Sequence, residues 1–304
     1  MESRHIPVLV EEVIALLGCG PHRTYVDATL GGGGHSLEIL KRTEPDGRVI
    51  GIEWDEEAIA EAKKVLSPFG ERVKIFRENF VRMPGLLGEM GIESVDGILF
   101  DLGLSSIHLE SQERGFSFRG EGPLDMRMDQ RLEVTAADLA NQLSLRELEE
   151  TLWEYGEERW AKRIAKAIVE ERDRSPIETT QALTKIVYRA IPRRFQSRKI
   201  DPATRTFQAL RIRVNRELEN LRQVLEEGWP FLKKGGRMCV ISFHSLEDRI
   251  VKKTFRRLEK GDAGGPDQKR VMQIITPKPI TPSEEEQKEN PRSRSAKLRC
   301  AERM

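Results

Sequence analysis

Four consecutive glycines, Gly31-Gly32-Gly33-Gly34, separate a short apolar run from a segment able to open a helix. The run is Thr24-Tyr25-Val26-Asp27-Ala28-Thr29-Leu30, with an acid near its end, and the segment is His35-Ser36-Leu37-Glu38-Ile39-Leu40. Ordering adjacent glycines costs more backbone entropy than ordering other residues, so a loop that keeps four is either a bare flexible turn or a place where backbone must come close to something. Strand, glycine loop and helix together bring backbone N–H groups and the unpaired donors of a first helical turn up to a nucleotide-like ligand. Arg48-Val49-Ile50-Gly51-Ile52 reads as a second strand ending on Glu53. An acid about twenty residues past the loop suits a ribose diol, because a carboxylate accepts from both hydroxyls.

The dinucleotide pattern G-x-G-x-x-G would need glycine at position 36, where Ser36 stands. Asp27 would repel a pyrophosphate but can meet an amino group. A cationic nucleoside that carries an amino acid, such as S-adenosylmethionine, fits both acids.

Val73-Lys74-Ile75-Phe76 reads as a third strand, followed by Glu78-Asn79-Phe80. In a doubly wound sheet that loop sits over the ligand's base, so Phe80 is either an adenine contact or a core aromatic. Val95 to Asp101 is a fourth strand, again ending on an acid, and Leu102-Gly103-Leu104-Ser105-Ser106 is a polar turn. Such sheets place chemistry at the carboxyl ends of parallel strands, where Asp27, Glu53 and Asp101 gather. Solubility or helix capping is the plainer use of such acids.

From about 110 to 203 no strand pattern is visible, and the spacing predicts helices. Leu145, Leu148 and Leu152 mark one, Trp160, Ile164 and Ile168 the next, and Leu183, Val187 and Ala190 a third that Thr180 could cap. This reads as an all-helical insertion. Its leading edge, Glu113 to Met128, mixes arginines with aromatics and methionines, and its trailing loop, Arg189 to Lys199, holds Arg193, Arg194, Arg198 and Lys199 without an acid. Arginine beside exposed aromatics is what a splayed-out RNA base requires, although a solvated charge run has the same composition.

The sheet pattern then resumes. Thr206 to Glu227 reads as one long amphipathic helix, Met238 to Phe243 as a buried fifth strand and Met272 to Ile275 as a sixth. Residues 277–291 read as a loop and Ser295 to Arg303 as the last edge strand, flanked by Arg292 and Arg294. His244-Ser245-Leu246-Glu247-Asp248 opens a helix, with Ser245 the expected cap. Seven strands with a late hairpin describe the methyltransferase variant of the doubly wound sheet.

The 304 residues are two domains' worth. A net charge of +1 excludes a uniformly basic protein, so any nucleic-acid surface is a local patch. Cys19, Cys239 and Cys300 show no metal-ligand spacing and fit a reducing cytoplasm. No apolar run is long enough to span a membrane.

His5, Asp27-Ala28-Thr29-Leu30-Gly31-Gly32-Gly33-Gly34-His35-Ser36, Asp101-Leu102-Gly103-Leu104-Ser105-Ser106, Glu113-Arg114-Gly115-Phe116-Ser117-Phe118, Pro123-Leu124-Asp125-Met126-Arg127-Met128, Pro202-Ala203-Thr204-Arg205-Thr206-Phe207 and Ser242-Phe243-His244-Ser245-Leu246-Glu247-Asp248-Arg249 together resemble the MraW/RsmH family, and the likeness runs nearly the whole chain. It implies a class I S-adenosylmethionine-dependent methyltransferase, a Rossmann-like α/β domain (1–109 and 204–304) with an inserted helical domain (110–203). It also implies methylation of N4 of a decoding-centre cytidine in 16S rRNA of the small ribosomal subunit, with no membrane or DNA partner. Cofactor contacts carry over to Gly33, Gly34, His35, Glu53, Phe80, Asp101 and His108. Glu53 stands where many members have aspartate, and His108 where glutamine is frequent.

Asp101 is the expected catalytic acceptor for the N4 hydrogens. His244 is the tempting general base, or else a histidine buried beside the sheet. Phe116 or Phe118 would stack on the target base, or would pack the insertion. Arg193, Arg194, Arg292 and Arg294 would meet phosphates.

Overall fold

The computed structural model describes residues 7–104, 111–196, 200–261 and 269–304. His5, Ser105, Ser106, His108, Arg198 and Lys199, singled out above, lie outside the described residues. The chain divides into two units, Met1–Ser105 with Leu218–Met304, and Ser106–Glu217.

The first unit is built on one sheet. Its strands are β1 (Thr24–Asp27), β2 (Arg48–Glu53), β3 (Val73–Arg77), β4 (Val95–Asp101), β5 (Leu232–Ser242), β6 (Met272–Ile274) and β7 (Lys297–Arg303), in the order β3-β2-β1-β4-β5-β7-β6. β1 to β5 run parallel, and β7 is antiparallel to both β5 and β6. The strand order reverses between β1 and β4, which opens a crevice at their carboxyl ends.

Two expectations about the late strands are corrected. Leu298 and Cys300 of β7 are buried opposite Ile241 and Cys239 of β5, so the strand read as the edge is interior, and three-residue β6 is the edge. A short edge strand offers little unpaired backbone to another chain. β5 also starts earlier than Met238, at Leu232, and runs through Gly235-Gly236.

Helices α1 (Val10–Leu17), α2 (Gly34–Arg42) and α3 (Glu56–Leu66) turn apolar faces into one cluster with Tyr25, Val49, Leu99, Ile241 and Leu298. Asp55 caps α3 by accepting from the Ala58 N–H at 2.9 Å. A shorter helix, α4 (Met83–Glu89), follows β3.

The second unit holds α5 (Ala136–Gln142), α6 (Leu145–Gly156), α7 (Ala161–Arg172), α8 (Thr180–Ala190) and α9 (Thr204–Asn215). Thr135 with Asp138, and Ser144 with Glu147, form capping boxes at α5 and α6. Thr179, one residue before the expected Thr180, caps α8. The long helix expected over Thr206–Glu227 is two helices, α9 and α10 (Glu217–Gly228), broken at Arg216, whose φ is 51°. Buried Asn215 ends α9: its side chain donates to the Met126 carbonyl and accepts from the Met128 N–H, both at 2.8 Å. The apolar periodicity continues through the break, so sequence alone did not reveal it. α9 groups with the helical unit, which therefore extends past residue 203 to Glu217.

Among the described residues, the remaining α-helices are α11 (Ser245–Lys260) and α12 (Glu284–Glu289), the latter inside a stretch expected to be loop. Among the described residues, no helix is long and apolar enough to cross a membrane.

Candidate functional site

The glycine loop turns between β1 and α2 as expected. Gly33 sits at φ 85° as the N-cap of α2, whose first turn has no side-chain cap. A Cβ on Gly33 would lie 3.1 Å from Leu66 and 3.4 Å from the Ala62 Cα, so α3 packs directly on the loop. Gly34 meets Pro7 in the same way, at 3.1 Å. A side chain at either glycine would press on these neighbours, so packing alone favours glycine at both positions. Gly31 and Gly32 face more open space.

Two acids close the loop from the sheet side. Asp27, fully buried, accepts from Ser36 Oγ at 2.7 Å. Burial pushes its pKa up, against the opposing pull of the Ser36 hydrogen bond. Asp101 ends β4, with its backbone N–H held by Thr29 Oγ1 at 2.5 Å. Its Oδ2 lies 3.4 Å from Nδ1 of buried His35. Its Oδ1 is buried and has no hydrogen-bond partner among the described residues. Desolvation raises the Asp101 carboxyl to about 6, opposed by His35 and reinforced by the negative charges of Asp27 and Glu247.

The other His35 nitrogen, Nε2, is 2.9 Å from the Val8 carbonyl. A carbonyl only accepts, so Nε2 carries a proton and Nδ1 faces Asp101. The contact is attractive when one proton is shared across it. Asp27 is buried and Asp101 largely so, and among the described residues His35 is the one basic group acting on both, so the pair is short of positive charge and the orphaned carboxylate oxygen needs a donor.

Glu53 ends β2 half-buried. Its Oε2 accepts from the Gly31 N–H, and its Oε1 from the N–H groups of Trp54 and Asp55, all at 2.9 Å. The glycine loop and the acid chosen for the ribose are therefore tied together directly. Phe80 opens a short turn after β3, its ring edge-on to Phe100 at 5.9 Å and 6.4 Å from Trp54. It is half-buried rather than sealed in the core.

The turn after β4 is distinctive. The Leu102 N–H donates to the Ile241 carbonyl at 3.0 Å, and Gly103 adopts φ 106° against the Phe243 ring. Proline fits neither position: it has no N–H to give, and its φ is fixed near −65°.

His244, the tempting base, is the N-cap of α11. Its Nδ1 accepts from the Glu247 N–H at 3.4 Å while Glu247 Oε2 accepts from the His244 N–H, a reciprocal box. Its Nε2 lies 3.1 Å from Glu247 Oε1, off the hydrogen-bond direction. Ser245, expected as the cap, is the first helical residue. His244→Asn, which can still cap, should keep single-turnover rates within about threefold; a hundredfold loss would return the histidine to the chemistry.

The leading edge of the helical unit folds inward. Arg114 is buried and donates to the carbonyls of Arg127 and Met128 at 3.1 and 3.0 Å. Phe116 is 5% exposed, with the Arg114 guanidinium over its ring, so it packs rather than offering a face to a base. Phe118 is half-buried, edge-on to Phe207 at 5.6 Å. Asp125 and Arg127 form a two-pronged ion pair. The exposed mixture of arginine and aromatic is at the trailing loop, where Arg193 and Arg194 are open to solvent beside Phe195. In the sheet unit, Arg292 and Arg294 are exposed on a short turn before β7.

The model of the MraW methylase family matches residues 2–304. The ribosomal RNA small subunit methyltransferase H of Geotalea uraniireducens is 50% identical over 100% of this chain and 99% of that protein. The protein of the same name from Halothermothrix orenii is 50% identical over 99% of this chain and 98% of its own length. Among solved structures, an rRNA methylase from Streptococcus thermophilus superposes with a TM-score of 0.39 at 11% identity, covering 97% of this chain and 93% of that one. A sheet in the order β3-β2-β1-β4-β5-β7-β6, a glycine loop at its switch point and a full-length family match converge: the chain belongs to the MraW methylase family and has the class I S-adenosylmethionine-dependent methyltransferase fold.

Proposed function

We propose that the chain transfers a methyl group from S-adenosylmethionine to N4 of a decoding-centre cytidine in 16S rRNA, with the small ribosomal subunit as substrate in the cytoplasm. The observation that carries this reading is the orphaned, buried Asp101 Oδ1 at the switch point, beside an uncapped helix start. The group fits the residues. A cation answers the charge shortage of Asp27 and Asp101, and the Gly33 turn leaves room for backbone to approach. Glu53 would hold the ribose, Phe80 the adenine, and Gly33, Gly34, His35 and Asp101 the rest. When bound, the cofactor supplies an electrophilic methyl on sulfonium.

The chain's own residues supply alignment. The N4 lone pair of cytosine is delocalised into the ring, so the amine is a poor nucleophile. Asp101, ionised above about pH 6, accepts hydrogen bonds from the N4 hydrogens and favours a pyramidal nitrogen. The Val8 carbonyl orients His35, and His35 holds Oδ2, leaving Oδ1 to the substrate. The turn carbonyls after Asp101 are further acceptors. Amino-methyltransferases of DNA usually build this turn with two prolines, which the Leu102 N–H bond and the Gly103 φ preclude here.

Cofactor affinity should rise with pH. As Asp101 loses its proton through about 6, attraction for a cation grows. Calorimetry should show S-adenosylmethionine binding several-fold tighter at pH 8 than at pH 5.5, with a smaller change for uncharged-sulfur S-adenosylhomocysteine. Equal changes for both would remove the acids from cation recognition. Arg193, Arg194, Arg292 and Arg294 should make rRNA binding fall steeply with salt, by roughly one power of salt concentration per phosphate neutralised. Salt-insensitive binding would remove these four arginines from RNA recognition.

The direct test is label transfer. Protein, methyl-labelled S-adenosylmethionine and small subunits lacking the modification are incubated, and the rRNA is digested for mass spectrometry. Label in N4-methylcytidine is expected. Label in another nucleoside overturns the substrate, and bound cofactor without transfer overturns the assembled subunit as sufficient substrate.

A further inference from the structure

Two aromatic rings on separate elements of the helical unit meet at its surface. Trp160 is the N-cap of α7, and Phe195 ends the short turn after α8; their centroids are 5.2 Å apart at 44°. The Arg163 guanidinium lies 5.7 Å from the Trp160 ring, and that of Arg194 lies 4.7 Å from the Phe195 ring. The result is a ladder of four planar groups in the order Arg163, Trp160, Phe195, Arg194. Phe195 is 49% exposed although a large apolar ring.

The two segments that carry the rings are basic, and the nearby acids Glu158, Glu170 and Glu171 are engaged with the Trp160 N–H, Lys166 and Arg189. Arg159 to Val169 and Arg189 to Ile200 contain no acid. Arg163 and Arg194 are aimed at rings, and neither makes an ion pair among the described residues.

We propose that this ladder is a stacking platform for unpaired nucleotides of the rRNA strand, apart from the nucleotide that is methylated. The inference rests on the rRNA-methylating role proposed above and adds where the rest of the strand is held. Aromatic faces take any base, and guanidinium planes stack as well. A base laid on Phe195 displaces the Arg194 guanidinium, which then pairs with the neighbouring phosphate. A protein partner would need shape-matched apolar surface; two rings between two arginines match a polyanion that carries flat bases.

The test uses full-length protein and a labelled single-stranded decamer of alternating adenosine and cytidine, which cannot pair with itself, alongside a 16-base-pair RNA duplex. Phe195→Ala should weaken decamer binding by about fivefold to a hundredfold, the range of one lost stacking contact, and leave duplex binding within twofold. Phe195→Tyr should bind the decamer like wild type. Arg194→Gln should lower the salt slope by about one. With small subunits, Phe195→Ala should raise KM more than it lowers kcat. Undiminished decamer binding by Phe195→Ala overturns the platform, and so does an equal loss for decamer and duplex, which would mark a charge patch alone. Wild-type protein that discriminates the decamer yet labels no rRNA would overturn the proposed function and leave the platform standing.

Discussion

Replacing Asp101 by alanine should lower the single-turnover rate of methyl transfer on the order of a hundredfold, about 2.7 kcal/mol of barrier. Among the described residues, the carboxylate is the one acceptor at the switch point with a buried oxygen that no protein donor claims. Wild-type rates should rise as pH passes about 6 and then level, because the carboxylate is the accepting form. Stability should move the other way. The folded-state pKa of about 6 lies above the ordinary 3.8, so the folded protein binds more protons between those values. Stability therefore falls as pH climbs from about 4 to 6, and the whole cost remains above that. Asp101→Asn should recover up to about 3 kcal/mol at pH 8, read as a higher denaturant midpoint, while transfer drops. A near-normal rate in the alanine variant would end the catalytic role, and an unchanged midpoint for asparagine would end the account of buried charge.

Gly115→Ala should destabilise the helical unit by roughly 2–5 kcal/mol. Gly115 adopts φ 69°, and an added Cβ would lie 2.2 Å from the Pro123 carbonyl oxygen and 2.8 Å from the Asp125 nitrogen. A left-handed non-glycine residue costs roughly 1–2 kcal/mol and overpacking about 1–3 more. Neither neighbour can swing away, since both are backbone. Pro123 is bridged to Thr179, and the Asp125 carbonyl accepts from the Ala136 N–H at 2.8 Å. A clear fall in the denaturant midpoint is expected; an unchanged midpoint would show that the loop gives way freely.

What could be read from sequence was what is written locally. The glycine loop, the acids ending β1, β2 and β4, and the helical character of the insertion all come from patterns within about ten residues. What escaped depends on partners far along the chain. Arg114 and Phe116 look exposed in composition, yet the carbonyls of Arg127 and Met128 draw the arginine inward. That His244 caps a helix also escaped, although the spacing of His244 and Glu247 was the available sign of a capping box. Trp160 belongs to a helical pattern and Phe195 to the loop after the next helix, and no periodicity announces that their rings meet. The signal within reach was Phe195 itself, following two arginines in a stretch without acids.

The interior position of β7 bears on how the protein is made. The carboxyl half of β5 pairs with a strand 55 to 65 residues later, Ser242 with Lys297 and Arg237 with Glu302. During synthesis β5 therefore leaves the ribosome with one flank bare, and β6 has nothing to join until β7 arrives. The helical unit, one contiguous stretch, is under no such delay. A nascent chain stalled between Ser242 and Lys297 carries a folded insertion beside an unfinished sheet, the state in which an open strand flank invites aggregation or a chaperone.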